Sequence, residues 1–389
     1  MHKVRFINLA AQFAEERVGL MRSIERVLAS GMHVGGPEID ALEGEIAAYV
    51  GVKEAVAVSS GTDALMLGMI AAGVKPGDEV ITPPNSFVAS AAAVANIRAR
   101  PVFADVGWDG LIDPAAVEAA ITPRTTALMP VHLWGGVCDM DAIWRIAGRH
   151  KLLIIEDAAQ AMGTAHRGRK VGALGTVACF SAHPLKIFNA CGDAGFITTD
   201  DPEIAGRVRL LRNHGLVDRE TVREFGFVSR LDAVQAAILR FRLPRLDEAI
   251  GRRRANARLY RELLDGVPIK LPVEKEYEFH TFVNFVSQCD RRDQLQEHLA
   301  ARNIESAVHY RRPLHLQPAA LSLGCRRGQF PVTERLAETI LTLPIQSVSK
   351  SDISYVADAI REVFAVSLAS TPRSAESLLP GGEILARDG

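Results

Sequence analysis

Short apolar, β-branched runs alternate with longer amphipathic segments between Val52 and about Ile155 of this chain. Strands separated by helical segments of about 10–15 residues indicate βα units and a mostly parallel sheet that is covered on both faces. We therefore predict an α/β fold. The expected strands are Ala55–Val58, Glu79–Thr82, Pro101–Ala104, Thr126–Val131 and Leu152–Ile155, and the expected helices are Thr62–Ala72, Ser86–Asn96, Pro114–Ala120 and Asp141–Arg149.

The pattern changes after Cys191. A long helical pattern extends from about Leu231 to Leu264, and Pro244 within it should kink or break the helix because proline has no amide hydrogen to donate. Beyond Gly266, short apolar runs alternate with helical patterns, which indicates a smaller α+β domain. The runs are Thr281–Ser287 and Ser306–His309, and the helical patterns are Arg291–Arg302 and Val332–Thr339.

These patterns divide the chain of 389 residues into four regions. Residues 1–30 are an N-terminal arm and helix, residues 31–245 a large domain, and residues 246–365 a small C-terminal domain. Residues 366–389 form a tail that is rich in Ser, Pro and Gly, so we expect it to be disordered.

Composition narrows the classes of function. Lys plus Arg total 45 and Asp plus Glu total 46, and this balance argues against nucleic acid or an anionic membrane as a partner. The five cysteines are scattered without ligand spacing, so we expect neither a metal site nor a disulfide framework. The chain lacks the roughly 18 consecutive apolar residues of a spanning helix and the apolar core of a signal peptide. We therefore expect a cytoplasmic protein.

Two strand ends carry candidate binding chemistry. Ser59-Ser60-Gly61-Thr62 follows a strand and opens a helix, where free amide groups and the helix dipole favour phosphate, although a simple N-cap gives the same pattern. Asp157 ends another apolar strand, and side chains at such ends point into the ligand-binding crevice of α/β proteins. It fits the role of metal ligand, helix cap or partner of a protonated ring nitrogen.

Lys186 follows Asp157 by 29 residues, in the segment Ser181-Ala182-His183-Pro184-Leu185-Lys186. Its apolar neighbours suggest partial burial, which lowers the pKa of the ammonium and frees the amine as a nucleophile, whereas a lysine of a surface loop is the alternative. Pyridoxal 5′-phosphate (PLP) needs a lysine for its Schiff base, a carboxylate at the pyridine nitrogen and an anion site for its phosphate. The joint occurrence of these features in this order predicts a PLP enzyme.

Seven motifs occur together along the chain. They are Gly35-Gly36-Pro37-Glu38, Ser60-Gly61-Thr62-Asp63-Ala64, Pro130-Val131-His132-Leu133-Trp134-Gly135, Glu156-Asp157-Ala158-Ala159-Gln160, Ser181-x-His183-Pro184-x-Lys186, Arg212-Asn213-His214-Gly215 and Pro313-Leu314-His315-Leu316-Gln317. With them, the chain resembles the DegT/DnrJ/EryC1/StrS family of sugar aminotransferases from about Asn8 to Ile360. The resemblance implies the fold of fold-type I PLP-dependent transferases, with a mostly parallel, seven-stranded-type sheet in the large domain and a smaller α+β C-terminal domain.

The resemblance also implies a role for each matching position. Lys186 would carry the Schiff base, and Asp157 would pair with the pyridine nitrogen. Gln160 would contact the 3-oxygen of the ring, and Phe87 would stack on its face. The phosphate would be held by Gly61, Thr62 and Ser181.

Further implications concern the reaction. The resemblance implies a homodimer with shared active sites, glutamate or glutamine as the amino donor, and a nucleotide-linked keto sugar as the acceptor. Lys186 argues for transamination, because relatives that dehydrate their substrate have His at this position. The segment from His309 to Gln317 is similar to a stretch of relatives that aminate C3 of the sugar. A PLP-dependent dehydratase and a non-catalytic regulatory protein are the alternatives.

Four side chains are candidate substrate contacts. Arg311 and Arg312 either clamp a carboxylate or phosphate of the substrate or are two solvated loop arginines. His183 and His315 either form part of the active-site wall or are packing residues.

One position departs from the family pattern. Val228 stands where relatives usually have an Asn that reaches the cofactor phosphate of the neighbouring subunit. Valine donates no side-chain hydrogen bond, so we expect this contact to be lost or taken over by Ser229 or Arg230.

Overall fold

A computed structural model describes residues 3–370. In chain order the strands are β1 (Glu54–Val58), β2 (Glu79–Thr82), β3 (Arg100–Phe103), β4 (Thr125–Leu128), β5 (Leu153–Asp157), β6 (Ala165–His166), β7 (Arg169–Lys170), β8 (Val177–Ser181), β9 (Gly195–Thr199), β10 (Glu278–Phe279), β11 (Phe285–Gln288) and β12 (Ile340–Leu343). The helices are α1 (Leu9–Ser30), α2 (Pro37–Val50), α3 (Gly61–Ala72), α4 (Val88–Asn96), α5 (Pro114–Ala120), α6 (Met140–His150), α7 (Pro202–Leu211), α8 (Ala233–Arg242), α9 (Leu246–Leu263), α10 (Arg292–Ala301), α11 (Pro331–Thr339) and α12 (Lys350–Ser370).

The central sheet has seven strands in the order β1-β9-β8-β5-β4-β2-β3. Neighbouring strands are parallel except where β9 pairs antiparallel with β1 and β8. The predicted α/β fold with a mostly parallel sheet is therefore confirmed. The carboxyl ends of the six parallel strands lie along one edge, which is where such folds bind ligands.

Both faces of this sheet are buried, as the continuous apolar strands predict. Because side chains alternate along a strand, Ala55 and Ala57 of β1 enter one hydrophobic cluster, whereas Val56 and Val58 enter the other. The sheet is therefore packed between two layers of helices, which hold the backbone of the residues at its edge firmly in place.

The predicted helix break at Pro244 is confirmed. Helix α8 ends at Arg242, a 3₁₀ turn spans Leu243–Arg245, and α9 begins at Leu246. Helix α9 then joins α10 and α12 around a separate core, in which Tyr260 is fully buried.

The second core has the α+β composition that the sequence predicts. Strands β11 and β12 pair antiparallel, while the run Ser306–His309 contributes only an isolated bridge between Ala307 and Thr342. Val4 of the N-terminal arm pairs with Ile304 and is buried in the same core. A further small sheet has the order β10-β6-β7. In it, β10 pairs with β6, and β6 and β7 follow β5 of the central sheet in the chain.

The C-terminal region is described only in part. Helix α12 continues to Ser370, and the remainder of the tail that we expected to be disordered lies outside the described residues. Between residues 3 and 370, no helix combines the length and the apolar character needed to cross a membrane.

Candidate active site

A cavity of about 590 Å³ lies at the carboxyl edge of the central sheet. Its walls come from the segments that directly follow β1 and β2, from the ends of β5 and β8, and from loops of the second core. The structure thus brings together every residue that the sequence assigns to the cofactor. These are Gly61, Thr62, Phe87, Asp157, Gln160, Ser181 and Lys186, and the predicted substrate residue His183 lines the same cavity.

Lys186 lies in the loop between β8 and β9. The amide of Lys186 donates to the carbonyl of His183 at 2.8 Å, which forms a turn, and the side chain is partly buried. Burial lowers the pKa of the Lys186 ammonium, and the nearby carboxylate of Asp157 opposes this shift. A lowered pKa increases the share of the neutral amine, which is the nucleophilic form.

Asp157 is the last residue of β5 and is buried. Its Oδ2 accepts a hydrogen bond from Oγ of Ser90 at 2.7 Å, and its Oδ1 accepts one from the amide of Ala159 at 3.2 Å. Ser90 in turn lies 2.6 Å from the hydroxyl of Ser86. Burial raises the pKa of the Asp157 carboxyl, although Ser90, Ala159 and the charge of Lys186 oppose the shift. A buried carboxylate with raised proton affinity is suited to a cationic partner such as a protonated ring nitrogen.

The start of α3 forms the anion site of this cavity. Ser60 caps the helix by accepting from the amide of Asp63 at 3.1 Å, which leaves the first amides of Gly61 and Thr62 at the cavity wall. A Cβ atom at Gly61 would lie 2.6 Å from Cβ of Ser181, so only glycine allows the two segments to come this close. Amides at a helix N-terminus bind phosphate well, and the cavity's lysine and carboxylate complete a set that fits PLP.

Replacing Gly61 with alanine tests this close approach. Steric overlap with Ser181 should displace the start of α3 at a cost of about 1–3 kcal/mol, the usual range for overpacking. We expect the Gly61→Ala variant to bind PLP about tenfold to a hundredfold more weakly in equilibrium dialysis. Gly206→Ala in α7 is the matched control, because a Cβ there meets nothing within 4 Å. Equal PLP affinity of the Gly61 variant and the wild type would contradict the assignment.

Gln160 is held in a fixed orientation beside Asp157. Its Oε1 accepts from the amide of Trp134 at 3.2 Å and from Nδ2 of Asn284 at 3.3 Å, and its Nε2 donates to the hydroxyl of Tyr310 at 3.1 Å. The ring centroid of Phe87 lies 6.0 Å from that of Tyr310. Asn284 and Tyr310 line the cavity, but the sequence does not single them out as site residues.

Residues 15–361 match the DegT/DnrJ/EryC1/StrS aminotransferase family. The chain belongs to this family. A dTDP-3-amino-3,4,6-trideoxy-alpha-D-glucose transaminase of Streptomyces venezuelae is 44% identical over 363 residues, which cover 92% of this chain and 96% of that protein. The erythromycin biosynthesis sensory transduction protein EryC1 of Saccharopolyspora erythraea is 44% identical over 344 residues, which cover 88% and 94%. The crystal structure of S. venezuelae DesV in complex with a ketimine intermediate superposes with a TM-score of 0.91 at 44% identity and covers 93% of this chain and 99% of DesV.

Three predicted substrate residues of this DegT/DnrJ/EryC1/StrS aminotransferase lie outside the lining of the Lys186 cavity. Arg311 pairs with Asp293 at 3.1 Å, and Arg311 and Arg312 line a separate cleft. His315 is buried, and its Nε2 lies 3.1 Å from Oε1 of Glu334. Their roles as substrate contacts therefore remain predictions, and they are not supported by this arrangement of the chain.

The position that departs from the family pattern lies on the surface. Val228 is 59% exposed, while the adjacent Ser229 is buried and donates to Oδ2 of Asp63 at 2.7 Å. Because the hydroxyl of Ser229 is engaged within its own chain, it is poorly placed to replace the missing Asn. Arg230 is exposed and contacts Asn213 at 3.3 Å, so it is the better candidate of the two.

Proposed function

We propose that the protein is a PLP-dependent aminotransferase that transfers an amino group from glutamate or glutamine to C3 of a nucleotide-linked keto sugar. The observation that carries this proposal is the convergence of Lys186, Asp157 and the N-terminus of α3 on one cavity. Membership of an aminotransferase family and the name of the S. venezuelae relative, a transaminase of a dTDP-linked 3-amino sugar, support the reaction and the acceptor.

Each residue of the cavity then has a chemical task. Bound PLP would supply an electron sink for the electron pair that remains when the substrate Cα loses its proton. Lys186 would accept that proton from the substrate Cα at Nζ and deliver it to C4′ of the cofactor, a task for which a neutral amine is required. Asp157 stabilises positive charge on the ring nitrogen, and Gln160 orients the ring through its fixed amide. The N-terminus of α3 binds the phosphate.

A regulatory role without turnover is the second candidate, because one relative is named a sensory transduction protein. A PLP-dependent dehydratase is the third. Incubation of the purified protein with glutamate separates the first candidate from the other two: the aminotransferase releases stoichiometric 2-oxoglutarate and converts its cofactor to the pyridoxamine form. No release of 2-oxoglutarate from glutamate or the corresponding product from glutamine would refute the proposal.

We also propose a homodimer. Apolar side chains are exposed on two segments of this chain. The surfaces of soluble monomers usually carry only small apolar patches, so these segments are candidates for a subunit interface. The first segment contains Phe225 at 97% and Val228 at 59% exposure, and the second is α1. The exposed apolar residues of α1 are Leu9, Phe13, Val18, Met21 and Leu28. A cytoplasmic location is proposed because all five cysteines are free.

Replacing Val228 with asparagine tests the proposed position of the dimer interface. Asn can donate the hydrogen bond that relatives give to the neighbour's cofactor phosphate, and one such bond is worth about 0.5–1.5 kcal/mol. We expect Val228→Asn to retain PLP on dialysis about twofold to tenfold more tightly. Val217→Asn, on the same loop and 44% exposed, should leave retention unchanged. Unchanged or weaker retention in the Val228 variant would count against this placement.

A further inference from the structure

Three potential metal ligands meet at a second place in the fold. Asp139 and Asp141 lie at the start of α6, and His166 lies on β6; one ligand atom of each residue is within 4.8 Å of the other two. None of the three lines the Lys186 cavity. The long gap in sequence before His166 matches no common metal-binding motif, which is why the sequence predicts no metal site.

The imidazole of His166 is the unusual member of this group. His166 is 1% exposed, and its Nε2 is buried without a hydrogen-bond partner among residues 3–370. The ring is enclosed by Trp144 at 5.7 Å and Tyr277 at 5.1 Å between centroids. Its Nε2 faces Oδ2 of Asp141 at 3.9 Å, which is too long for a hydrogen bond. Buried polar atoms normally have a partner, so this nitrogen points to a missing one.

The carboxylates of Asp139 and Asp141 lie near the imidazole of His166, where a cation could contact all three side chains. Oδ1 of Asp139 accepts from the amide of Ala142 at 3.0 Å, so the N-cap fixes this side chain in place. Asp141 is 33% exposed and accepts from Nε of Arg167 at 2.8 Å. The side chain of Arg167 is 63% exposed. If a cation bound to Asp141 and displaced Arg167, the guanidinium would therefore still be solvated.

We propose that Asp139, Asp141 and His166 bind one divalent transition-metal ion, of which Zn²⁺ is the best match. Zinc takes imidazole nitrogen and carboxylate oxygen at about 2.0–2.2 Å, and the ligand atoms of the three residues already lie within 4.8 Å of one another. Mg²⁺ and Ca²⁺ prefer all-oxygen sites and fit less well. Solvent that reaches the partly exposed carboxylates would complete the coordination.

The ion would connect two parts of the fold. Asp139 and Asp141 belong to the helix that packs on β4 and β5, whereas His166 belongs to a strand that pairs with β10. Binding to the folded state alone stabilises that state by mass action. Zinc should therefore raise the melting temperature of the PLP-loaded enzyme.

Calorimetric titration of the chelator-treated, PLP-loaded enzyme with ZnCl₂ tests the site. We expect one ion per chain, and we expect His166→Gln to bind at least about a hundredfold more weakly, since even outer-shell losses cost tenfold to a hundredfold. His298→Gln is the matched control, because His298 also faces a carboxylate, Glu362 at 3.2 Å, yet belongs to no such cluster. Binding to this control should equal that of the wild type.

A second variant covers the case in which His166→Gln fails to fold. Asp139→Asn keeps an oxygen for the helix cap but removes a charged ligand, so it should fold normally and bind zinc at least about tenfold more weakly. The proposal is overturned if the wild type takes up no stoichiometric zinc at micromolar concentrations. It is equally overturned if both variants bind zinc as tightly as the wild type; loss of zinc on replacing the exposed Cys191 with serine would then place the ion at that cysteine.

Discussion

The Lys186→Ala variant should lose the half-reaction with glutamate, with a rate about 10⁴-fold below that of the wild type. Alanine has no amine to link covalently to the cofactor aldehyde and none to move the proton. Burial lowers the pKa of the Lys186 ammonium, which increases the share of the neutral amine. Single-turnover release of 2-oxoglutarate measures the rate, and the absorbance of the covalently attached cofactor should disappear with it.

The control for this substitution is Lys75→Ala, which removes an exposed lysine that does not line the cavity. Its rate and spectrum should equal those of the wild type. Circular dichroism and melting temperature show whether the Lys186 variant is folded. A folded Lys186→Ala protein that retains full turnover would refute the assignment of the catalytic lysine.

The second large effect is expected for Asp157→Asn, which should slow the same half-reaction by about a thousandfold. The amide has nearly the same shape but carries no charge, so it cannot stabilise a protonated ring nitrogen. In the cofactor-free protein, by contrast, we expect the substitution to leave the stability of the fold unchanged or to raise it. Burial raises the pKa of Asp157 in the folded chain, so the unfolded chain ionises first and stability falls as the pH rises through the unfolded value of about 3.9.

Asn does not ionise, so it removes the free-energy cost of burying the Asp157 carboxylate. The cofactor-free Asp157→Asn protein should therefore melt at or above the wild-type temperature at pH 7. Loss of activity without loss of stability distinguishes a catalytic carboxylate from a structural one. The matched control is Asp113→Asn, since Asp113 caps α5 through an oxygen that Asn also supplies. An Asp157 variant with near-normal turnover would exclude the proposed pairing with the ring nitrogen.

The cofactor residues can be predicted from sequence because short-range structure places them. Asp157 ends an apolar strand, Gly61 and Thr62 open a helix after another, and both strands are parallel members of one sheet. Their neighbourhood follows from the fold class, since the carboxyl ends of parallel strands share one edge. Lys186 needs its motif in addition, because its apolar neighbours suggest partial burial but leave a lysine of a surface loop as the alternative.

Other contacts in the cavity form only through packing between segments that are distant in sequence. Tyr310 and Asn284 reach Gln160 only because the second core folds against the edge of the central sheet, and no local pattern encodes that contact. Arg311 directly follows Tyr310 in sequence, yet it turns to Asp293 outside the cavity. Strand β12 is not among the predicted strands: only four residues long, it follows directly on α11, and its pairing with β11 depends on a distant segment.

Val228 shows what the structure adds to a sequence observation. The sequence identifies the missing Asn but leaves Ser229 and Arg230 as equal substitutes. The buried hydrogen bond from Ser229 to Asp63 engages the first of them within its own chain.

Transfer of ¹⁵N from labelled glutamate to an acceptor sugar tests the central claim most directly. The purified enzyme is incubated with ¹⁵N-glutamate and a dTDP-linked 3-keto hexose, and the product is examined by mass spectrometry and NMR. Our account predicts a sugar with ¹⁵N on C3 and one 2-oxoglutarate for each sugar aminated. Loss of water from the sugar without incorporation of ¹⁵N, or no reaction with any nucleotide-linked keto sugar, would contradict it.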